Sequence, residues 1–241
     1  GVFKSNDGGA TWTVTIIPPD NFLSSAPTKI VADPVNPNGI YALGIAGVYR
    51  TTDGGTTWFT SRNGVPDNAF LNSLAIDPKN PMVLYLGLYD STSGNSLYKS
   101  TDGGIMWYPS STGLPNLLGI YNLAIDSKTS STIYAAVLSS ITVNGGVFKS
   151  IDSGGSWQDT TSEIKPLITD YALTQYDNIH YAGAIPNCPT PFLTTASNLA
   201  IDSNTPATLF AVVDGFVLRT TDGAGTWAVT HSGLPFAPFQ I

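Results

Sequence analysis

The side chains that could do chemistry in this chain are few and unevenly placed. Its 241 residues carry 17 Asp+Glu, 10 Lys+Arg and 2 His. Glu163 is the single glutamate and Cys188 the single thiol. One cysteine excludes an internal disulfide and any Cys-rich metal site. Cys188 sits between Asn187 and Pro189, with His180 the only histidine near it in sequence, and reads as an ordinary small residue. His180 and His231 read likewise as ordinary loop or strand residues. No His-x-x-His, Glu-x-x-His or Cys-x-x-Cys spacing occurs, so neither metal nor cofactor is expected. Glycoside hydrolysis would need two carboxyl groups about 5–10 Å apart in different environments. Asp67, Asp90, Asp170 and Asp177 are the candidates on loops, and sequence alone brings no two of them together. Capture of a substrate carboxylate by clustered arginines needs several guanidinium groups. Arg62 is the one arginine outside a repeated position.

Composition narrows the partners. Only 11% of residues are charged, the net charge is −7, and the pI is near 4.5. That balance argues against nucleic-acid backbone, whose binding needs clustered Lys and Arg. The longest apolar runs, such as 82–88, fall far short of the ~20 residues of a membrane-spanning helix. Hydrophobic residues make up 42%, enough for a core, and 24 Gly with 17 Pro point to many turns.

The elements that must position these groups repeat. Ser5-Asn6-Asp7-Gly8-Gly9-Ala10-Thr11-Trp12 recurs as 51–58, 100–107, 150–157 and 220–227, and every one of the 5 tryptophans closes such a Trp segment. A second motif keeps phase with it: Ile30-Val31-Ala32-Asp33, Leu74-Ala75-Ile76-Asp77, Leu123-Ala124-Ile125-Asp126 and Leu199-Ala200-Ile201-Asp202. An apolar run follows each, as in Ile40-Tyr41-Ala42-Leu43 and Ile133-Tyr134-Ala135-Ala136. A third run, such as Gly47-Val48-Tyr49-Arg50, leads into the next Trp segment. Short β-branched and aromatic runs between turn residues are strands, and no sustained 3.6-residue period predicts helix. Four strands per repeat is the unit of a β-propeller blade, and neighbouring blades must stack to bury both faces.

The pattern Ser/Thr-x-Asp-x-Gly-x-Thr-Trp resembles the Asp-box, or BNR repeat, of sialidases, the sortilin propeller, xyloglucanase-type hydrolases and a photosystem II assembly factor. Gly64-Val65-Pro66, Gly113-Leu114-Pro115 and Gly233-Leu234-Pro235 look most like the last two. The resemblance implies an all-β propeller of four-stranded antiparallel blades. The whole of 1–241 reads as one propeller domain or segment of about four and a half blades, an incomplete ring or part of a six- to eight-bladed one. Residues 160–197 read as an insertion or a degenerate blade. Asp7, Asp53, Asp102, Asp152 and Asp222 are expected to hold their own turns by accepting backbone N–H groups. The resemblance further implies that Trp12, Trp58, Trp107, Trp157 and Trp227 bury their rings beside the next blade. Lys4, Arg50, Lys99, Lys149 and Arg219 share one register position and are expected to pack their stems and leave their heads in water.

Recognition then falls to the opposite face, where Arg62, Asp90, Tyr171, Tyr176, Asp177, His180 and Tyr181 are the candidate binding residues. The leading expectation is a non-enzymatic binding or assembly scaffold for a protein or glycan partner, secreted, periplasmic or at the cell surface. The alternatives are a fragment of a xyloglucanase-type glycoside hydrolase and a structural subunit or assembly factor of a larger envelope or photosynthetic complex. If the Trp segments are architectural, Trp58→Ala or Trp157→Ala destabilises the chain by about 3–5 kcal/mol and leaves binding per folded molecule unchanged. Thermal melts paired with binding titrations check this.

Overall fold

A computed structural model describes residues 2–15, 27–44, 47–89, 94–116, 119–139, 144–161 and 195–230. Every regular element among them is a strand. The first sheet pairs β1 (Val2–Lys4) with β2 (Thr13–Thr15). The second runs β3 (Lys29–Ala32), β4 (Ile40–Gly44), β5 (Gly47–Thr51) and β6 (Phe59–Ser61). The third is β7 (Phe70–Ile76), β8 (Leu84–Tyr89), β9 (Leu97–Ser100) and β10 (Tyr108–Pro109). The fourth is β11 (Ile120–Ile125), β12 (Ile133–Val137), β13 (Gly146–Ser150) and β14 (Gln158–Asp159). The fifth is β15 (Ala196–Ile201), β16 (Leu209–Val213), β17 (Phe216–Thr220) and β18 (Ala228–Val229). All pairings are antiparallel between consecutive strands. The first strands adjoin in order, β3 with β7, β7 with β11 and β11 with β15. This is the blade arrangement of a β-propeller.

Each Trp segment folds as a turn closed by its own carboxylate. Asp53 accepts the N–H of Thr56 and Thr57 and the Thr57 hydroxyl, while Thr51 Oγ1 donates to Asp53 Oδ1 at 2.7 Å. In the other four segments the Asp likewise accepts the N–H four residues on and the hydroxyl two residues before it, and all but Asp102, which faces Met106, also accept the hydroxyl four residues on. The turn between the first and second strands uses the same device: Asp77 accepts the N–H of Lys79 and Asn80, and Asp126 those of Lys128 and Thr129. These turns satisfy backbone groups that no ladder reaches.

Packing runs between sheets. Trp58, Trp107, Trp157 and Trp227 are buried, each against the preceding sheet: Trp107 lies with Tyr41, Leu43 and Val48, and Trp227 with Tyr134, Ala136 and Val147. The neighbour is thus the sheet before, not the one after. The reason is geometric, since the backbone N–H of the tryptophan in the third and fourth sheets donates to the preceding connection, Trp107 to Asn63 O and Trp157 to Thr112 O, both at 2.9 Å. Trp12, in the first sheet, is 60% exposed, whereas Trp107 is 1% exposed.

The repeated basic residues also differ from expectation. Their heads leave water for the next sheet. Lys4 donates to Gly54 O, Arg50 to Gly103 O, Lys99 to Ser153 O and Lys149 to Gly223 O, at 3.1, 3.3, 2.8 and 2.6 Å. Each acceptor directly follows the Asp of the next Trp segment. Three of these carbonyls take a second donor, a tyrosine hydroxyl: Tyr41 to Gly103 O, Tyr85 to Ser153 O and Tyr134 to Gly223 O. Tyrosine and cation are cross-strand partners, and the cation sits 5.4–5.6 Å from the ring centroid. Burial pushes the Tyr85 and Tyr134 hydroxyls up to about 12, which keeps both protonated as donors. Arg219 lies over Phe210, which has no hydroxyl to donate.

The glycines of the Gly-Val/Leu-Pro motif belong to the same junctions. Gly64 and Gly113 both have φ +89°, and a Cβ there would meet Trp107 O at 2.1 Å and Trp157 O at 2.3 Å. No side chain fits without moving backbone. Gly8 has a similar φ of +73° but open space around it. Gly8→Ala is therefore expected to cost only the left-handed backbone penalty, about 1–2 kcal/mol, and Gly64→Ala clearly more. Urea unfolding midpoints of the two variants check the order.

Candidate functional site

The Trp segments and the Asp turns occupy one face of the stack. Gly54 N–H donates to Asn38 O, Gly103 to Met82 O, Ser153 to Ser131 O and Gly223 to Ala207 O, tying turn to turn within each sheet. First strands begin and second strands end on the opposite face.

On that face the first strands of the third, fourth and fifth sheets each carry a β-bulge at the same level. The register shifts between Leu71 and Ser73, between Ile120 and Asn122, and between Ala196 and Asn198. The extra residues are Asn72, Tyr121 and Ser197. A bulge frees its residue from the ladder and re-aims its side chain, which is why bulges gather beside functional sites. Around the first two, aromatic side chains converge. Phe70 and Tyr89 are cross-strand partners, and both are exposed, as is Tyr121. At Gly119 a Cβ would stand 3.4 Å from Asn72 Nδ2, 3.5 Å from the Tyr121 ring and 3.5 Å from Tyr89 Cβ. Two sheets thus bring Tyr89, Tyr121 and the Asn72 amide to a single notch, with Phe70 the cross-strand partner of Tyr89. Such a set stacks on an apolar face and hydrogen-bonds beside it. Sequence reasoning did not single out Phe70, Tyr89 or Tyr121; their position at strand ends on the loop face was the available signal.

Farther round the same face, Asp214 and Gly215 form a two-residue hairpin between β16 and β17, with φ +49° and +82°. Asp214 Oδ1 accepts the Thr195 N–H at 2.8 Å, and the Ser139 N–H donates to Thr195 Oγ1. Burial pushes the Asp214 carboxyl up, with the Thr195 hydrogen bond opposing it. Asp214 therefore adds to the loop-face carboxylates that the sequence suggested. It stands in a hydrogen-bond network with Thr195 and Ser139, whereas two-carboxylate hydrolysis needs a second carboxyl about 5–10 Å away.

Of the binding residues expected from sequence, Arg62 is described. Its Nη2 donates to Pro66 O, Asp67 O and Ala69 O at 2.7, 2.8 and 2.9 Å, so the guanidinium holds its own loop. Asp90, Tyr171, Tyr176, Asp177, His180 and Tyr181 lie outside the described residues, as do Asp170 and Cys188. The carboxylates of Asp7, Asp53, Asp102, Asp152 and Asp222 are engaged by their own turns on the other face. Among the described residues no three His, Cys, Asp or Glu side chains converge as a metal site.

No protein-family model matches the chain, and no curated protein matches it. Solved structures do. An ancestral GH74 enzyme superposes with a TM-score of 0.66 at 19% identity, over 98% of this chain and 29% of its own. The GH74 xyloglucanase from Xanthomonas campestris gives 0.59 at 19% identity, over 85% and 30%. YCF48 bound to D1 peptide gives 0.54 at 17% identity, over 94% and 60%. At these identities the likeness shows the propeller fold. The chain spans less than a third of each of the two enzymes and three-fifths of YCF48.

The turn carboxylates set a pH response. The Thr11 hydroxyl and N–H hold Asp7 at about 2, and those of Ser156 do the same for Asp152. Thr57 lowers Asp53 and Thr226 lowers Asp222. At Asp102 burial is the largest influence and raises the carboxyl, but the hydrogen bonds from Met106, Ser100 and Ile105 together outweigh it. Unfolded aspartates titrate near ~3.9. Groups with depressed folded values stabilise fully above that value and lose their contribution as pH falls through the folded one. The Thr205 hydroxyl lowers Asp202 likewise, and Asp214 acts in the opposite sense, as one group against six. Urea midpoints are thus expected to hold from pH 7 to about 5 and to fall between about 4 and 2, with a shallower fall in Asp152→Asn. A midpoint that rises on acidification contradicts this account.

Proposed function

We propose that the protein is a non-enzymatic binding scaffold whose loop face receives a protein or glycan partner at the notch between the third and fourth sheets. The observation that carries this is the convergence of Tyr89, Tyr121 and the Asn72 amide around Gly119, with exposed Phe70 the cross-strand partner of Tyr89. Exposed aromatic groups on a rigid sheet end bind by stacking, either on a sugar face or on an apolar peptide side chain. The turn carboxylates support architecture rather than catalysis, because each is engaged by its own backbone. A secreted, periplasmic or cell-surface setting belongs to the same reading.

Two further readings each have an observation behind them. Likeness to GH74 enzymes favours a fragment of a carbohydrate-active enzyme, with Asp214 the described loop-face carboxyl of raised affinity for a proton. Likeness to YCF48, in a structure holding a D1 peptide, favours an assembly factor that takes an extended peptide.

Titration of the chain with xyloglucan oligosaccharides, and separately with an extended peptide library, distinguishes these. Binding of one probe class is expected to weaken about tenfold or more in Tyr121→Ala, with the melting temperature unchanged because Tyr121 is exposed and outside the ladder. Binding untouched by Tyr121→Ala and Phe70→Ala sinks the notch. Release of reducing ends that stops in Asp214→Asn replaces the scaffold reading with the enzymatic one.

A further inference from the structure

The chain has 2 methionines, and both lie at the Trp segment of the third sheet. Met106 occupies the place that holds Thr11, Thr57, Ser156 and Thr226 in the other four segments. Those four hydroxyls donate to Oδ2 of their turn carboxylates at 2.5–2.7 Å. Asp102 receives Ser100, Ile105 and Met106 on Oδ1, and no described donor reaches its Oδ2. Met82 comes to the same turn from the connection between β7 and β8. Its carbonyl accepts the Gly103 N–H at 2.9 Å, the role of Asn38, Ser131 and Ala207 in the other sheets. Its Cε would stand 3.3 Å from a Cβ on Gly103, where Arg50 Nη1 also converges at 2.8 Å. Met82 is 42% exposed and Met106 37%, so small reagents in solution reach both.

A thioether packs as an apolar side chain of like volume would, but its sulfur can be oxidised. We propose that Met82 and Met106 form a reversible peroxide-oxidation site whose product loosens the junction between the second and third sheets. In each residue the sulfur lone pair attacks one oxygen of hydrogen peroxide. An S–O bond forms, the O–O bond breaks, and the departing hydroxide takes the remaining proton and leaves as water. The thioether is oxidised to a sulfoxide and the peroxide is reduced. The new oxygen is polar and accepts hydrogen bonds without donating any. At Met106 an acceptor then stands beside the Asp102 carboxylate, where the other sheets place a hydroxyl donor, so the turn gains repulsion in place of a bond. At Met82 the oxygen lies beside the Arg50 guanidinium and competes for it with Gly103 O, which Arg50 Nη1 reaches at 3.3 Å. Gly103 O is the shared acceptor of Arg50 and Tyr41, so both products act on one junction. The site is on the face away from the aromatic notch and does not rest on it.

The test treats the full chain with dilute hydrogen peroxide and locates added oxygen by peptide mass mapping. One added oxygen is expected on each methionine. Hydrogen exchange is expected to quicken at the Gly103 and Gly104 amides and to stay unchanged at those of Gly223 and Ala224. The melting temperature is expected to fall by about 2–4 °C and to recover when methionine sulfoxide reductases for both epimers remove the oxygens. Met106→Thr supplies the missing hydroxyl, and Met82→Leu keeps the volume. The double variant is therefore expected to melt no lower than the parent chain and to be indifferent to peroxide, and each single variant to show a smaller fall than the parent. The proposal is overturned if either methionine resists peroxide, or if full oxidation of both leaves the melting temperature and Gly103 exchange unchanged. It is overturned equally if reduction fails to restore the melting temperature, or if peroxide lowers that of the double variant as much as that of the parent. The last result would place the damage at another side chain.

Discussion

One backbone carbonyl per sheet governs this stack. It belongs to the residue after the Asp of each Trp segment, and in three junctions it accepts two donors from the preceding sheet. A carbonyl withdrawn from water without a partner costs on the order of 1–3 kcal/mol, so its direction matters more than its own bond strength. The Asp carboxylate fixes that direction by holding the turn, and the cross-strand Tyr–cation pair fixes the donors. Burial keeps the tyrosines protonated, so the contact does not weaken near neutral pH. The tryptophans then fill the space that this register leaves between the sheets. A second set of links runs along the same face, where Lys79 reaches Lys128 O and Lys128 reaches Asn204 O. A chain with so few charges thus places most of its cations as donors to neighbouring backbone.

That scaffolding explains why the notch can be well defined though it lies at strand ends. Phe70, Tyr89 and Tyr121 come from two sheets whose spacing is set by links on the far face and by buried side chains between β7, β8 and β11. The backbone positions that carry the rings are thereby held in place, because moving one relative to another would slide an entire sheet.

Sequence made the architecture legible because its signals are local. The Asp-to-Trp spacing, the Ile-Tyr-Ala runs and the turn aspartates each declare themselves within eight residues. What joins sheet to sheet is non-local. Tyr85 and Lys99 meet only once β8 and β9 are paired, and their shared acceptor, Ser153, lies in another sheet. The repeated cations were expected to leave their heads in water for that reason. Arg62 stood out as the arginine off the repeat, and in the structure it serves three carbonyls of its own loop. The notch was hidden because a bulge leaves no mark in composition; the run Phe70–Ile76 reads as an unbroken strand, and only the pairing reveals that Asn72 is extra. Asp214 was overlooked because Asp-Gly announces a turn before it suggests a carboxyl of altered acidity.

The bulges have a consequence for how such a surface diversifies. A residue in a ladder answers to partners on either side, and exchanging it perturbs the fit of its sheet. Asn72, Tyr121 and Ser197 occupy equivalent places yet carry unrelated side chains, because a bulged residue owes nothing to register. Mutation can rewrite these three places one at a time, with each sheet acting as an independent letter. The side chains presented on this face are then free to change without renegotiating the fold beneath them.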